Sequence, residues 1–269
     1  MNKKLQFVLW ILVAVVAVAL IGIYGVGFVK SKVEGTIHPV VTFEIENHGT
    51  VKAELYPEYA PNTVATIVAL VKNGFYENKV IYGKDNICLY VGRDTDGNVP
   101  LTKVSNLNPT IAAGSDADKN VTVPGEFASN GFEQNTLRHE KGILSLIRND
   151  YTQSVSGLVN ESYNSGVSQI GIMMGENTSS LNGVYAAFGK VTEGLDILEK
   201  IYTEAKVKEP EVADDGTVQE TAIDKFDTFP IIKSATVETY GIDFGIPVFQ
   251  EAFDYESYMY DLIQTQYGS

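Results

Sequence analysis

Side chains able to do chemistry are sparse in this chain, and most are spaced wrongly for it. The single cysteine, Cys88, stands in the apolar run Ile87 to Val91, which suits a buried, inert thiol better than a nucleophile. The histidines, His38, His48 and His139, are scattered, and Gly166-Val-Ser168-Gln-Ile-Gly171 has the wrong spacing for the G-x-S-x-G turn of a serine hydrolase. Asp116-x-Asp118-x-Asn120 opens like a calcium loop, but Val121 replaces the required glycine at its sixth position and Phe127 the glutamate at its twelfth. Asp94-Thr-Asp96-Gly-Asn98 lacks that glutamate too and reads as a turn. No glycine pattern for a nucleotide or dinucleotide is present. The sequence therefore implies no metal and no cofactor. What remains is Arg93 and Arg148, each able to offer a guanidinium.

Charge narrows the partners. Four of the 20 Lys and Arg precede residue 33 and none of the 34 Asp and Glu does, so the body sets 34 acids against 16 cations, a net −18. Such a body repels nucleic acid and anionic lipid headgroups. A lone cysteine rules out an intrachain disulfide and a Cys-rich zinc site.

The elements that must position any site follow from periodicity. Val41, Phe43 and Ile45 alternate with polar residues, as do Val51, Ala53 and Leu55, and Asn47-His48-Gly49 between them predicts a hairpin. Pro61 to Asn73 predicts a helix with Val64, Ile67, Val68 and Val71 on one stripe, Pro61 in the first turn and Gly74 at the C-terminal cap. Short apolar runs at Ile87 to Val91, Ile143 to Ile147, Ile170 to Met174 and Tyr185 to Phe188 predict strands. Glu193 to Ala205, with Leu195, Ile197, Leu198 and Ile201, predicts a second helix. Asp94 to Thr122 reads as loop. Many strands with two helices indicate a mainly β fold, an antiparallel sheet or barrel.

Three segments divide the chain. Residues 1–32 hold an apolar run from Leu5 to Val29, broken only by Gln6 and flanked by Lys3, Lys4, Lys30 and Lys32. It is long enough to span a hydrocarbon core of about 30 Å and predicts an uncleaved transmembrane anchor, the alternative being a signal peptide cut near Ala17-Val18-Ala19. The positive-inside rule places the body on the extracytoplasmic face. Residues 33–241 form the domain. Residues 242–269 are an acidic, aromatic tail that either packs on the domain or binds a partner.

Four motifs inside the domain share one family order. Val123-Pro-Gly-Glu-Phe-Ala-Ser-Asn-Gly-Phe132, Asn135-Thr-Leu-Arg-His-Glu-Lys-Gly-Ile-Leu-Ser145, Asn164-Ser-Gly-Val-Ser-Gln169 and Leu181-Asn-Gly-Val-Tyr-Ala-Ala-Phe-Gly-Lys-Val191 resemble the bacterial cyclophilin pattern. The resemblance spans about residues 41–241. It implies a closed eight-stranded antiparallel barrel capped by two helices, and peptidyl-prolyl cis-trans isomerase activity on exported proteins containing Xaa-Pro bonds or unfolded segments.

That reaction is slow because rotation breaks amide resonance, a barrier of about 18–20 kcal/mol. A catalyst needs an apolar pocket for the proline ring and a fixed donor, usually Arg, to the prolyl carbonyl. The family's F-H-R falls on Ile81-Tyr82-Gly83, so the catalytic arginine becomes Gly83. Its F-M-x-Q-G-G-D falls on Cys88 to Asp94, putting Cys88 for a pocket Phe and Val91 for Gln. Gln169 is kept, but Gly171 stands where a second pocket Phe belongs. The resemblance makes Leu89, Leu146, Gln169, Leu181, Tyr185, Cys88 and Gly171 the substrate-binding residues, and it requires Leu89, Gln169 and Leu181 to converge on one outer groove. With the donor missing, Arg93 and Arg148 are the substitutes available. The second reading is a degenerate cyclophilin-like module that binds peptide or protein without catalysis.

Overall fold

The computed structural model describes residues 36–111, 114, 116–176, 178–209 and 223–267. Among the described residues eleven strands run in chain order: β1 Val40–Ile45, β2 Gly49–Leu55, β3 Val80–Lys84, β4 Cys88–Arg93, β5 Val121–Thr122, β6 Ile143–Leu146, β7 Ile170–Met173, β8 Ala186–Glu193, β9 Asp224–Lys225, β10 Ile232–Glu238 and β11 Gln250–Glu251. The helices are α1 Pro61–Lys72, α2 Val104–Leu107, α3 Val159–Tyr163, α4 Leu195–Glu204 and α5 Tyr255–Tyr267.

The predicted hairpin is β1 and β2, antiparallel, with Asn47 in the left-handed region at its turn. Its apolar residues Val41, Phe43, Ile45, Val51, Ala53 and Leu55 are all buried. The predicted helices are α1 and α4. Val64, Ile67, Val68 and Val71 of α1 are buried, and Gly74, at φ +70, ends the helix where its N–H bonds the Val71 carbonyl. From α4, Leu198 and Ile201 enter the same core.

Nine strands form one antiparallel sheet in the order β10-β1-β2-β8-β6-β7-β4-β3-β9. It curls into a half-barrel, which corrects the expectation of a closed eight-stranded barrel. Among the described residues β3 and β10 are joined by an isolated bridge, Val80 to Ile231, and the bonds beside it, without a continuous ladder. Pro230, next to Ile231, has no N–H to extend a ladder, and β3 instead spends Gly83 and Lys84 on pairing with β9. Among the described residues no helix is long and apolar enough to cross a membrane. The expected anchor, residues 1–32, lies outside the described residues.

The tail packs on the domain. β11 pairs with β5, the Asn62 side chain exchanges two hydrogen bonds with the Val248 backbone (2.9 and 2.7 Å), and the Tyr255 ring stacks on Tyr151 at 4.8 Å. Its last stretch is the helix α5, which the aromatic pattern did not announce. The expected loop from Asp94 to Thr122 holds the single turn α2 and strand β5.

Helix α1 has no side-chain cap of its own; Ala60 occupies that place. The cap comes from 63 residues away. Glu126, 4% exposed, accepts from Asn62 N–H at 2.9 Å and, through its other oxygen, from Thr63 N–H and Thr63 hydroxyl at 2.7 Å each. Burial raises the Glu126 carboxyl above the ordinary carboxylate range, and these three donors oppose the rise. Helix termini need such partners, so this carboxyl pins α1 to the loop before β6. Glu126→Ala strands three donors and is expected to cost about 3 kcal/mol in urea unfolding of the full chain, whereas Glu126→Gln, which keeps one acceptor, loses less. A loss below about 1 kcal/mol for the alanine variant would show that water replaces the cap.

Candidate functional site

Period-two alternation gives each central strand two faces. Leu89, Val91, Leu144, Leu146, Ile170, Ile172, Ala186 and Phe188 point into the main core. Their neighbours Cys88, Ile143, Met173 and Ala187 form a second, smaller apolar cluster with Ile87, Tyr90, Leu137 and Leu181 packed on it. On that outer face one row crosses four strands, Tyr90 opposite Gly171, Gly171 opposite Ser145, and Ser145 opposite Ala187. Cys88 faces Met173 in the next row.

Above these rows lies a groove of about 300 Å³. Its walls are Ile87, Cys88, Tyr90, Ile147, Met173, Leu181, Tyr185 and Ile223, with Asp85 and Arg148 as charged lining. A side chain at position 171 would meet Ile147 Cδ1 at 2.7 Å from its Cβ. The space where a larger side chain at 171 would start is therefore filled by Ile147.

Two polar struts hold the walls. Asp85 Oδ1 accepts from the N–H groups of Ile87 and Cys88 (2.7 and 2.6 Å), and its Oδ2 accepts from the Tyr90 hydroxyl at 2.7 Å. Tyr90 in turn stacks on Tyr82, with centroids 5.8 Å apart. Burial pushes the Cys88 thiol up to about 12, helped by the Asp85 charge, so at neutral pH it is an apolar wall and no nucleophile. Burial also drives the Tyr90 hydroxyl well above its ordinary value.

The second strut fixes the loop carrying Leu181 and Tyr185. Asn182 Oδ1 accepts from His139 N–H at 2.8 Å and lies 3.1 Å from Nδ1, while Nε2 is 3.0 Å from Ser145 Oγ. The set is satisfied with Nδ1–H donating to Asn182 and Nε2 accepting from Ser145. Burial holds His139 below its ordinary value, in the neutral form. The order Ser, His, Asn is that of an acyl-transfer relay, but Ser145 is 1% exposed, which makes the chain a strut.

The structure thus brings together Cys88, Leu181, Tyr185 and Arg148, with Gly171 as floor, and separates the others. Leu89 and Leu146 lie in the interior core, because each is one residue from an outward-facing neighbour and a strand cannot present both to one face. Gln169 is turned to Tyr82, whose hydroxyl donates to its Oε1 at 2.8 Å, and it does not line the groove. Leu89, Gln169 and Leu181 therefore do not share a groove, and Tyr90 and Met173 stand where Leu89 was expected. Arg93 sits over the Tyr82 ring at 4.2 Å and donates to Gly97 O. Tyr90 and Met173 were reachable from the sequence by stepping two residues from Cys88 and Gly171. Nothing near Ile223 signalled its place in the wall.

Gly83 is closed from outside. A Cβ there would lie 2.5 Å from Asp224 O and 2.9 Å from Ile223 Cγ2, so β9 occupies the space where an arginine side chain would start. Arg148 belongs to the opposite wall. Its guanidinium lies 4.5 Å from the Tyr185 ring, 4.9 Å from Tyr163 and 5.7 Å from Phe127, with Nε and Nη1 donating to the carbonyls of Val184 and Asn149 at 3.3 Å each. The calcium-like loop is spoken for, since Asp116 pairs with Lys119 at 2.9 Å and Asp118 with Lys103 at 3.0 Å.

An apolar groove on the outer face of a curled antiparallel sheet, walled by the loop before β8, defines the class: a mainly β domain with an outward-facing apolar cleft. The chain belongs to the family "Cyclophilin type peptidyl-prolyl cis-trans isomerase/CLD", whose model matches residues 40–227. Peptidyl-prolyl cis-trans isomerase B of Bacillus subtilis (strain 168) is 29% identical over 170 residues, 63% of this chain and 95% of that protein. Peptidyl-prolyl cis-trans isomerase-like 4 of Neurospora crassa is 29% identical over 161 residues, 57% of this chain but 28% of that protein. A Cryptosporidium parvum cyclophilin type peptidyl-prolyl cis-trans isomerase, crystallised in the presence of the dipeptide ala-pro, aligns with a TM-score of 0.48 at 20% identity, covering 74% of this chain and 98% of that one.

Two outcomes follow from this geometry. Gly83→Ala forces β9 away from β3 and is expected to cost about 1–3 kcal/mol, read as a lowered thermal midpoint; an unchanged midpoint would mean that β9 yields freely. His139, with its folded value below the unfolded value of about 6.5, contributes stability that is complete above that pH and lost as pH falls toward the folded value. Unfolding free energy should therefore decline from about pH 6.5 downward more steeply in the wild type than in His139→Gln, and equal slopes would contradict the assignment.

Proposed function

We propose that this chain is a peptidyl-prolyl cis-trans isomerase that binds Xaa-Pro segments of polypeptide in the outer groove and catalyses their interconversion. The observation that carries the reading is the groove itself, where Cys88, Ile147, Met173, Leu181 and Tyr185 make an apolar seat at the place the family motifs meet. Such a seat favours the less polar twisted amide over the solvated planar one, and it needs no cofactor. The donor expected at position 83 is absent, and one lost transition-state donor costs about 10²–10³ in rate unless another group supplies it. The apolar run from Leu5 to Val29 and the flanking lysines support a bacterial-type protein anchored in the membrane with this domain on the extracytoplasmic side. Its clients are then exported proteins during folding.

A second reading is favoured by one observation, the covering of Gly83 by β9. It makes the groove a holder of extended or proline-containing chains with no catalysis. One experiment separates the two. The full chain in detergent micelles is titrated with a proline tetrapeptide, and cis-trans exchange of the bound peptide is followed by NMR. Binding, with exchange of the bound peptide faster than in buffer, is the expected result. Binding with exchange at the buffer rate establishes the holder, and no binding at all rejects both.

A further inference from the structure

We infer that Arg148 has taken over as the groove's carbonyl donor, acting from the wall opposite Gly83; this rests on the isomerase reading above. Three observations meet at this residue. It lines the groove beside Leu181 and Tyr185, whereas Arg93 does not. Three aromatic rings, of Phe127, Tyr163 and Tyr185, surround its guanidinium at 4.5 to 5.7 Å, an arrangement that holds the cation by its flat faces and keeps water off them. Its Nε and Nη1 donate to the carbonyls of Val184 and Asn149, and these bonds, the ones it makes among the described residues, do not use Nη2. A guanidinium clamped on two sides with a donor to spare is preorganised, the condition under which a hydrogen bond lowers a barrier without reorganisation at the moment of reaction.

The groove explains the change of side. Ile223 and Asp224 close position 83 with an apolar side chain and a backbone carbonyl, neither of which can donate to a substrate carbonyl. Asp85, the other charged lining residue, is engaged by two N–H groups and a tyrosine hydroxyl and is an acceptor. Arg148 is the cation left among the groove's described lining residues. In the reaction no covalent bond forms or breaks: as the Xaa-Pro C–N bond twists, the Nη2–H donates to the prolyl carbonyl and holds it in place.

Arg148 also stacks on core aromatics, so its removal acts on the fold as well as on chemistry, and the test separates these. Arg148→Lys keeps the charge and most of the packing but loses the fork; Arg148→Ala loses both. In the full chain in micelles, the proline tetrapeptide is used for both affinity and bound-state exchange, with the thermal midpoint measured alongside. The expected result is a fall of roughly 10²-fold in kcat/KM for both variants with the peptide Kd changed less than about threefold, and partial recovery of Arg148→Ala by millimolar guanidinium ion. Exchange within about threefold of wild type in Arg148→Lys overturns the inference and leaves the isomerase reading standing. Loss of exchange in step with loss of folding in both variants, with no rescue by guanidinium, assigns Arg148 to packing and equally overturns it. Wild-type binding without exchange overturns the inference in favour of the holder.

Discussion

Everything functional in this fold depends on four short strands being buried on both faces. Strands β4, β7 and β6 and the first half of β8 place alternate residues in the main core and in the outer cluster, so these stretches are short and largely apolar, with Ser145 the buried polar exception. Burial of both faces fixes register firmly, since a slip by one residue would exchange the core set for the groove set in every strand at once. The row Tyr90, Gly171, Ser145, Ala187 is the product of that registration. Its small members Gly171, Ser145 and Ala187 leave a depression, and Tyr90 at one end stands in the wall.

A depression in a sheet becomes a site only if the loops around it are held. Here the holding is polar and local to the family motifs. Glu126 caps α1 across 63 residues, Asn135 donates to Glu126 O and Ala187 O at 2.8 and 2.9 Å, and Asn164 Oδ1 accepts from Gly125 N–H at 3.0 Å and Asn130 Nδ2 at 2.9 Å. His139 and Asn182 do the same for the wall bearing Leu181 and Tyr185. Buried polar groups without partners cost more than satisfied ones return, which is why these loops accept few alternatives. The motifs that marked the family are thus mostly its struts. The residues around the groove are where the sequence departs from the pattern it resembles.

The departures are correlated. Gly171 is filled by Ile147, Gly83 is covered by β9, and Ile223 enters the wall from the same segment. Each small residue admits a neighbour that a larger one would exclude, so the changes form one repacked surface. An apolar seat survives this repacking because any well-packed aliphatic set can form one, whereas a directed donor survives only where a guanidinium is held at the right distance. Arg148 is the guanidinium in the groove wall, held between aromatic rings and two carbonyls.

What the amino-acid order determined by itself is whatever depends on local period and on short polar motifs. The hairpin of β1 and β2, helices α1 and α4, and the four central strands are legible because apolar spacing at two or 3.6 residues reports a buried face. The family was legible because its loop motifs are contiguous. Strand β3 escaped notice because Gly83 and Lys84 interrupt its pattern, and β9 and β11 because two residues carry no period. Only the tertiary structure decided which face of each strand met the groove, so Leu89 and Leu146 went inside while Tyr90 and Met173 came out. It likewise decided that the sheet stops short of closure, that the tail packs on the domain, and that a distant segment seals position 83. These are contacts between residues far apart in the chain, and spacing along a sequence carries no record of what arrives from elsewhere.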